Sequence, residues 1–210
     1  MTVFITFEGI DGAGKSTQIR RLQRRLEASG LQVVCTREPG GTIIGDEVRR
    51  LLLDAGSKTM AHETEVLLYA ASRAQLLHEV IRPALASGQV VLCDRYVDAS
   101  IAYQGAGLGV GIDIVARINA FATRGLRPNC TFLFDLPVPE SRQRVQKSRG
   151  EVRPDRIEQR DDAYFHCVRD AFLRIAENEP ERVVVLDATQ PPDVLEQEIW
   201  RQITKLTGIS

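Results

Sequence analysis

Residues 9–16 read Gly-Ile-Asp-Gly-Ala-Gly-Lys-Ser, a fit to GxxxxGK[ST], and they stand between an apolar run, TVFITFE, and an amphipathic segment, STQIRRLQRRL. That context is a strand, a glycine-rich turn and a helix. Glycines let the backbone wrap so that successive N–H groups converge on an anion, and the following helix adds its positive end. Gly9, Ile10, Asp11, Gly12, Ala13, Gly14, Lys15, Ser16 and Thr17 are therefore the expected triphosphate cradle. Lys15 would reach the β- and γ-phosphates, and the Ser16 hydroxyl would ligate Mg²⁺. The guanine-reading tetrad Asn-Lys-x-Asp is absent from the chain, so ATP is the expected nucleotide.

The rest of the chain repeats the same alternation. Short apolar runs at 2–8, 32–36, 89–94, 131–135 and 182–187 lack clean polar alternation, the pattern of strands buried on both faces of a parallel sheet. Between them, helices are expected at 15–29, 43–55, 63–87, 97–104, 112–123, 139–148, 161–178 and 193–206, with Pro83 bending the longest rather than ending it. No repeat or long linker interrupts the order, so residues 1–210 are read as one α/β domain with right-handed crossovers. Ligands of such sheets sit beyond the carboxyl ends of the strands.

Composition narrows the class. The 210 residues carry 27 Lys+Arg against 28 Asp+Glu, a net charge of −1. That balance gives no bulk attraction to nucleic acid or to a membrane surface. No apolar stretch approaches 18 residues and the N-terminal run has no basic region before it, so neither a membrane span nor a secretory signal is expected. Cys35, Cys93, Cys130 and Cys167 form no CxxC pair, and three lie in or beside apolar runs. They read as reduced core thiols of a cytoplasmic protein. His62, His78 and His166 have no partners at metal-ligand spacing and read as surface or capping residues. Trp200, beside Ile199 in the last amphipathic segment, reads as core. Lysine occurs only at 15, 58, 147 and 205, so almost every basic group is an arginine, whose planar fork matches phosphate oxygens.

A second anion site is visible at the end of the third apolar run, in Asp94-Arg95-Tyr96. The carboxylate could hold Mg²⁺ and Arg95 could grip an anion beside it. Asp135 and Asp187 also follow apolar runs and compete for the metal role, but neither has an adjacent arginine. Tyr69 and Arg73, four residues apart, share one helix face. A ring and a guanidinium so placed could stack a base and read its edge.

Taken together, residues 9–16, Thr36-Arg37-Glu38-Pro39-Gly40-Gly41-Thr42, Tyr69 with Arg73, Asp94-Arg95-Tyr96 with Tyr103-Gln104-Gly105, and Asp155-Arg156-Ile157-Glu158 resemble, in order over nearly the whole chain, the bacterial thymidylate kinases. The resemblance implies a three-layer P-loop fold with a five-stranded parallel sheet, a homodimer, and transfer of the γ-phosphoryl group of ATP to thymidine 5′-monophosphate. It implies that Asp11 holds the sugar 3′-hydroxyl, Arg95 the acceptor phosphate, Tyr69 the face of thymine, and Arg73 and Ser100 its edge. Tyr103 would crowd the 2′ position, Glu38, Pro39 and Gln104 would line the same pocket, and Gln190 would lie over adenine. Ala99 stands where the family usually has serine.

Charge shared between donor and acceptor phosphates must be neutralised in the transition state. Ile10, Asp11, Gly12 and Ala13, the variable cradle positions, are not basic. Residues 147–160 (KSRGEVRPDRIEQR) hold five basic and three acidic residues broken by Gly150 and Pro154. They are expected to form a mobile arginine-rich lid. Arg149 and Arg156 match the family's lid pattern best and are the expected catalytic arginines, beside Lys15, Asp94 and Arg95.

Overall fold

The computed structural model describes residues 2–150 and 153–208. Five strands, β1 (Val3–Glu8), β2 (Val33–Arg37), β3 (Val90–Asp94), β4 (Cys130–Asp135) and β5 (Val183–Asp187), form one sheet in the order β2-β3-β1-β4-β5, every pair parallel. All five match the apolar runs. Alternate residues of the central strands serve opposite layers: Val3, Ile5, Phe7, Val90 and Leu92 face one apolar cluster, while Phe4, Val91 and Cys93 face the other. Burial on both faces is what removes polar alternation from such strands.

The helices are α1 (Lys15–Ala28), α2 (Ile43–Leu53), α3 (His62–Leu76), α4 (Arg82–Ala86), α5 (Val97–Ser100), α6 (Ile112–Thr123), α7 (Val138–Arg149), α8 (Asp162–Asn178) and α9 (Pro192–Thr207). The long segment at 63–87 stays helical across Pro83, but through a wider π turn, Leu77–Ile81, between α3 and α4. Proline has no N–H and its ring crowds the carbonyl four residues back, so the turn ahead of it loosens. The segment expected as one helix at 97–104 is likewise α5 followed by a π turn at Ile101–Gly107. Tyr103 and Gln104 lie within this wider turn.

Two cysteines depart from the core reading. All four are free thiols, but only Cys93 and Cys130 are buried, whereas Cys35 and Cys167 are exposed. Cys35 belongs to β2, which has a neighbour on one side only; an apolar run cannot show which strand will be an edge. The three histidines are exposed as expected. Trp200 is half-buried, packed on the core with the Arg25 guanidinium 4.1 Å from its ring centroid.

Candidate active site

The P-loop leaves β1 at Gly9, whose φ is +127°. A Cβ there would lie 2.4 Å from the Phe134 carbonyl oxygen, so only glycine lets the chain turn between β1 and β4. Gly14, also left-handed, precedes the first turn of α1. Lys15 is buried and its Nζ donates to the carbonyls of Gly9 and Ile10, both at 3.1 Å. Burial and then the nearby Arg95 charge hold its pKa below the ordinary lysine value, against the pull of Asp94, Asp11 and Glu8.

The register places Asp94 beside Phe7, so its carboxylate emerges next to the P-loop. There it accepts a hydrogen bond from Ser16 Oγ at 3.1 Å. The two competing aspartates are engaged elsewhere. Asp135 takes a two-pronged pair from Arg169, at 2.6 and 2.8 Å. Asp187 folds its own loop through Thr189 and Gln190. Of the three strand-end aspartates, Asp94 is the one that faces the phosphate cradle.

Two cavities open above the strand ends. A groove of about 1010 Å³ runs over Gly12, Gly14, Lys15, Ser16, Thr17 and Asp94, with Arg37 and Arg144 on its walls. A second cavity, about 570 Å³, is lined by Pro39, Tyr69, Arg73, Ala99, Ser100, Tyr103 and Gln104, together with Leu53, Asp155 and Ile157. Asp11, Glu38, Arg49 and Arg95 line both. The two cavities therefore adjoin, and the wall between them is charged.

Arg95 is the centre of that wall. Its backbone is left-handed, φ +71°, a conformation that costs a non-glycine residue about 1–2 kcal/mol. Both flanking amides are pinned: Arg95 N–H donates to the Phe7 carbonyl at 3.0 Å, and Tyr96 N–H donates to Glu8 Oε1 at 2.7 Å. Arg95 Nη2 donates to Asp11 Oδ1 at 2.8 Å, and the guanidinium lies 4.9 Å from the Tyr103 ring centroid. Its Nη1 is buried without a partner. A desolvated guanidinium with a free donor is a ready seat for an anion. Burial lifts the Asp11 pKa, but Arg95 and Lys15 outweigh it and leave the carboxyl below its ordinary value.

Arg73 lines only the second cavity and is tied to Glu38 of the shared wall. Arg73 Nε donates to Glu38 Oε2 at 2.6 Å, Nη1 to Ser100 Oγ at 3.0 Å, and Nη2 to the Tyr96 carbonyl at 2.9 Å; Nη1 also donates to Asn119 Oδ1. Burial pushes the Glu38 carboxyl up to about 7 against the attraction of Arg73. Burial likewise raises the Tyr69 and Tyr103 phenols, and Tyr103 Oη has no partner.

Two expected residues, Arg149 and Arg156, are not among those lining the groove. Arg149 Nη1 pairs with Glu158 at 2.7 Å. Arg156 pairs with Glu65 at 2.7 Å and donates to the Leu52 carbonyl at 2.9 Å. Arg153 is exposed, and Glu151 and Val152 of the expected lid lie outside the described residues. Gln190 is exposed on the loop after β5.

Arg49, Arg144, Glu8 and Glu65 were not singled out by the sequence, and Arg37 was named only within the motif at 36–42. Arg49 Nη1 donates to the Pro39 carbonyl at 3.0 Å, and burial followed by Arg37 lowers its pKa. Arg144 donates to the Ala188 carbonyl at 3.0 Å beside the P-loop. In an arginine-rich chain nothing about their spacing separates these from solvated arginines. Glu8 does carry a sequence signal, a carboxylate ending a buried strand directly before the glycine turn. Its side chain is fully buried, and burial followed by Asp98 raises its pKa to about 8.

Residues 7–199 match the family model described as thymidylate kinase. The chain is 54% identical over 200 residues to the thymidylate kinase of Exiguobacterium sibiricum, covering 95% of this chain and 93% of that one. It is 50% identical over 203 residues to the thymidylate kinase of Deinococcus radiodurans, covering 97% of each. Against the thymidylate kinase of Pseudomonas putida W619 it is 50% identical over 197 residues, covering 94% of each. With a charged wall joining two cavities above a P-loop and similarity running the length of the sheet, the chain belongs to the thymidylate kinase family.

Proposed function

We propose that residues 1–210 act as a single kinase domain that transfers the γ-phosphoryl group of ATP to thymidine 5′-monophosphate, giving ADP and thymidine 5′-diphosphate for dTTP synthesis. The observation that carries this reading is Arg95, a buried arginine with a free Nη1 donor in the wall shared by the two cavities. The triphosphate lies along the P-loop groove, and the monophosphate fills the second cavity with its phosphate at Arg95. Tyr69 stacks on the base, while Arg73 and Ser100 meet its edge. Gln190 lies over adenine.

The acceptor phosphate is already a nucleophile at neutral pH, so the protein's task is to position and to neutralise. Arg95 and Arg49, which face both cavities, hold the acceptor against the donor. Lys15 leaves its P-loop carbonyls for the donor phosphates. Asp11 orients Arg95 and offers its second oxygen to the sugar. The side chains of Ser16 and Asp94, 3.1 Å apart at the mouth of the groove, fit a hard divalent cation that takes oxygen ligands. Mg²⁺ held there would supply positive charge to the donor phosphates. Residues 147–160 act as a lid, with Arg149 and Arg156 its catalytic candidates.

Leu67 on α3 and Phe121 on α6 are 58% and 89% exposed, and these helices pack on each other; we assign them to a homodimer interface. Four free thiols fit a reducing, cytoplasmic setting. No helix among the described residues is long and apolar enough to cross a membrane.

The test is ADP release from ATP with thymidine, uridine, cytidine and guanosine monophosphates as acceptors. Stimulation by thymidine monophosphate above the others is expected. Preference for another monophosphate reassigns the acceptor, and ATP hydrolysis indifferent to all four removes the kinase reading in favour of an ATP-driven switch.

A further inference from the structure

Glu65 lies on α3 four residues before Tyr69 and eight before Arg73, and its side chain is 0% exposed. A carboxylate so deeply placed must be partnered, and Glu65 has three partners. Oε1 accepts from Gln104 Nε2 at 3.0 Å. Oε2 accepts from Arg156 Nη1 at 2.7 Å and from Arg160 Nη2 at 2.8 Å. Arg156 is held from two more directions, with Nε donating to the Leu52 carbonyl at 2.9 Å and its N–H to the Leu53 carbonyl at 3.2 Å. The two neighbours of Arg156, Asp155 and Ile157, line the second cavity. One buried carboxylate thus fastens residues 155–160 to the helix that carries Tyr69 and Arg73.

We propose that Glu65 is a positioning residue of the acceptor site: it docks residues 155–160 against α3, so that docking of this segment and occupation of the cavity by a nucleoside monophosphate favour each other. The inference rests on the reading of the cavity as the acceptor site. Asp155 and Ile157 form part of the cavity wall only while the segment is docked, so a ligand enclosed by that wall binds the docked arrangement more tightly. By reciprocity, anything that loosens the dock weakens the ligand. Two partly buried guanidiniums share the one fully buried carboxylate, and removing its charge leaves both without their counter-charge. The segment then gains more by returning to water than by staying. In this arrangement Arg156 is paired with Glu65 and does not line the groove.

The test compares Glu65→Gln with the unaltered full-length protein, by amide hydrogen exchange over residues 153–160 and by steady-state kinetics. In the unaltered protein, thymidine monophosphate should slow exchange in this segment. In Glu65→Gln the segment should exchange faster and lose that protection. The KM for thymidine monophosphate should rise about tenfold, within the range of coupling between contacting residues, while the KM for ATP stays within about twofold. Equal protection in both proteins, or equal changes in both KM values, overturns the role of Glu65 and leaves the acceptor reading intact. Lack of protection in the unaltered protein by any monophosphate overturns the acceptor reading, and this inference with it. Arg160→Gln gives a second measurement if Glu65→Gln does not fold, because it removes one cation and keeps the Arg156–Glu65 pair. It should move exchange and KM in the same direction by less, and behaviour identical to the unaltered protein overturns the proposal.

Discussion

Arg95 Nη2 and Asp11 Oδ1 lie 2.8 Å apart, joining the P-loop to the end of the neighbouring strand across the wall of two cavities. Asp11 comes from the turn after β1 and Arg95 from the residue after β3, so the adjacency of these strands in the sheet creates the pair. The guanidinium is fixed through one nitrogen and left with a free donor on the other. Arg95→Lys keeps the charge but loses the fork. It should lower kcat/KM for thymidine monophosphate by about 10²-fold or more, as for other single preorganised donors, with the KM for ATP nearly unchanged. Steady-state kinetics with each nucleotide varied in turn reads this, and a matching loss for ATP would place Arg95 on the donor side.

Ser16 and Asp94 should define the metal requirement. Asp94→Asn keeps a hydrogen-bond acceptor for Ser16 but removes the negative charge a divalent cation needs. The Mg²⁺ concentration for half-maximal activity should rise about tenfold or more, the scale on which ligand-set changes act. Asp135→Asn, which breaks an ion pair with Arg169 away from the cradle, should leave that concentration unchanged. A Mg²⁺ titration of each variant checks the pair.

Glu8 should make stability pH-dependent in a direction opposite to that of most carboxylates. Burial raises its folded pKa from the ordinary 4.5 to about 8. Between these values the folded chain holds a proton that the unfolded chain has released, so stability falls as pH rises through this window and levels off above it. Glu8→Gln can still accept from Tyr96 N–H but has no proton to lose. The difference in Tm between this variant and the unaltered protein should therefore widen from pH 5 to pH 8. Parallel curves would show that Glu8 is ionised in the fold.

Arg73 is 1% exposed and distributes its donors over Glu38, Ser100, Asn119 and the Tyr96 carbonyl. Arg73→Met would leave Glu38 buried without a counter-charge, a loss of about 3–5 kcal/mol. Denaturant unfolding measures it. The double variant Arg73→Met with Glu38→Gln should recover part of the loss, because the stranded carboxylate is then neutral.

Phe121 is 89% exposed and lies on the surface assigned to the homodimer. Phe121→Asp should shift sedimentation to the monomer and leave far-UV circular dichroism unchanged. An unaltered protein that already sediments as a monomer would remove the interface.

The sequence by itself determined the strands, the glycine-rich turn between β1 and α1, and the family pattern. An unbroken apolar run reports burial on two faces, and Gly9–Lys15 spacing reports backbone wrapping, both properties of neighbours along the chain. It also brought Asp94, Arg95, Tyr69 and Arg73 forward, because those residues follow strand ends or share a helix face. Only the tertiary structure shows that Asp135 and Asp187 are engaged by Arg169 and by the Thr189 loop while Asp94 stands beside Ser16 of the P-loop. Only it could show that Cys35 is exposed on an edge strand, and that Arg156 answers to a glutamate 91 residues earlier. Charge pairing and edge position are set by which distant segments meet, and local periodicity carries no record of that.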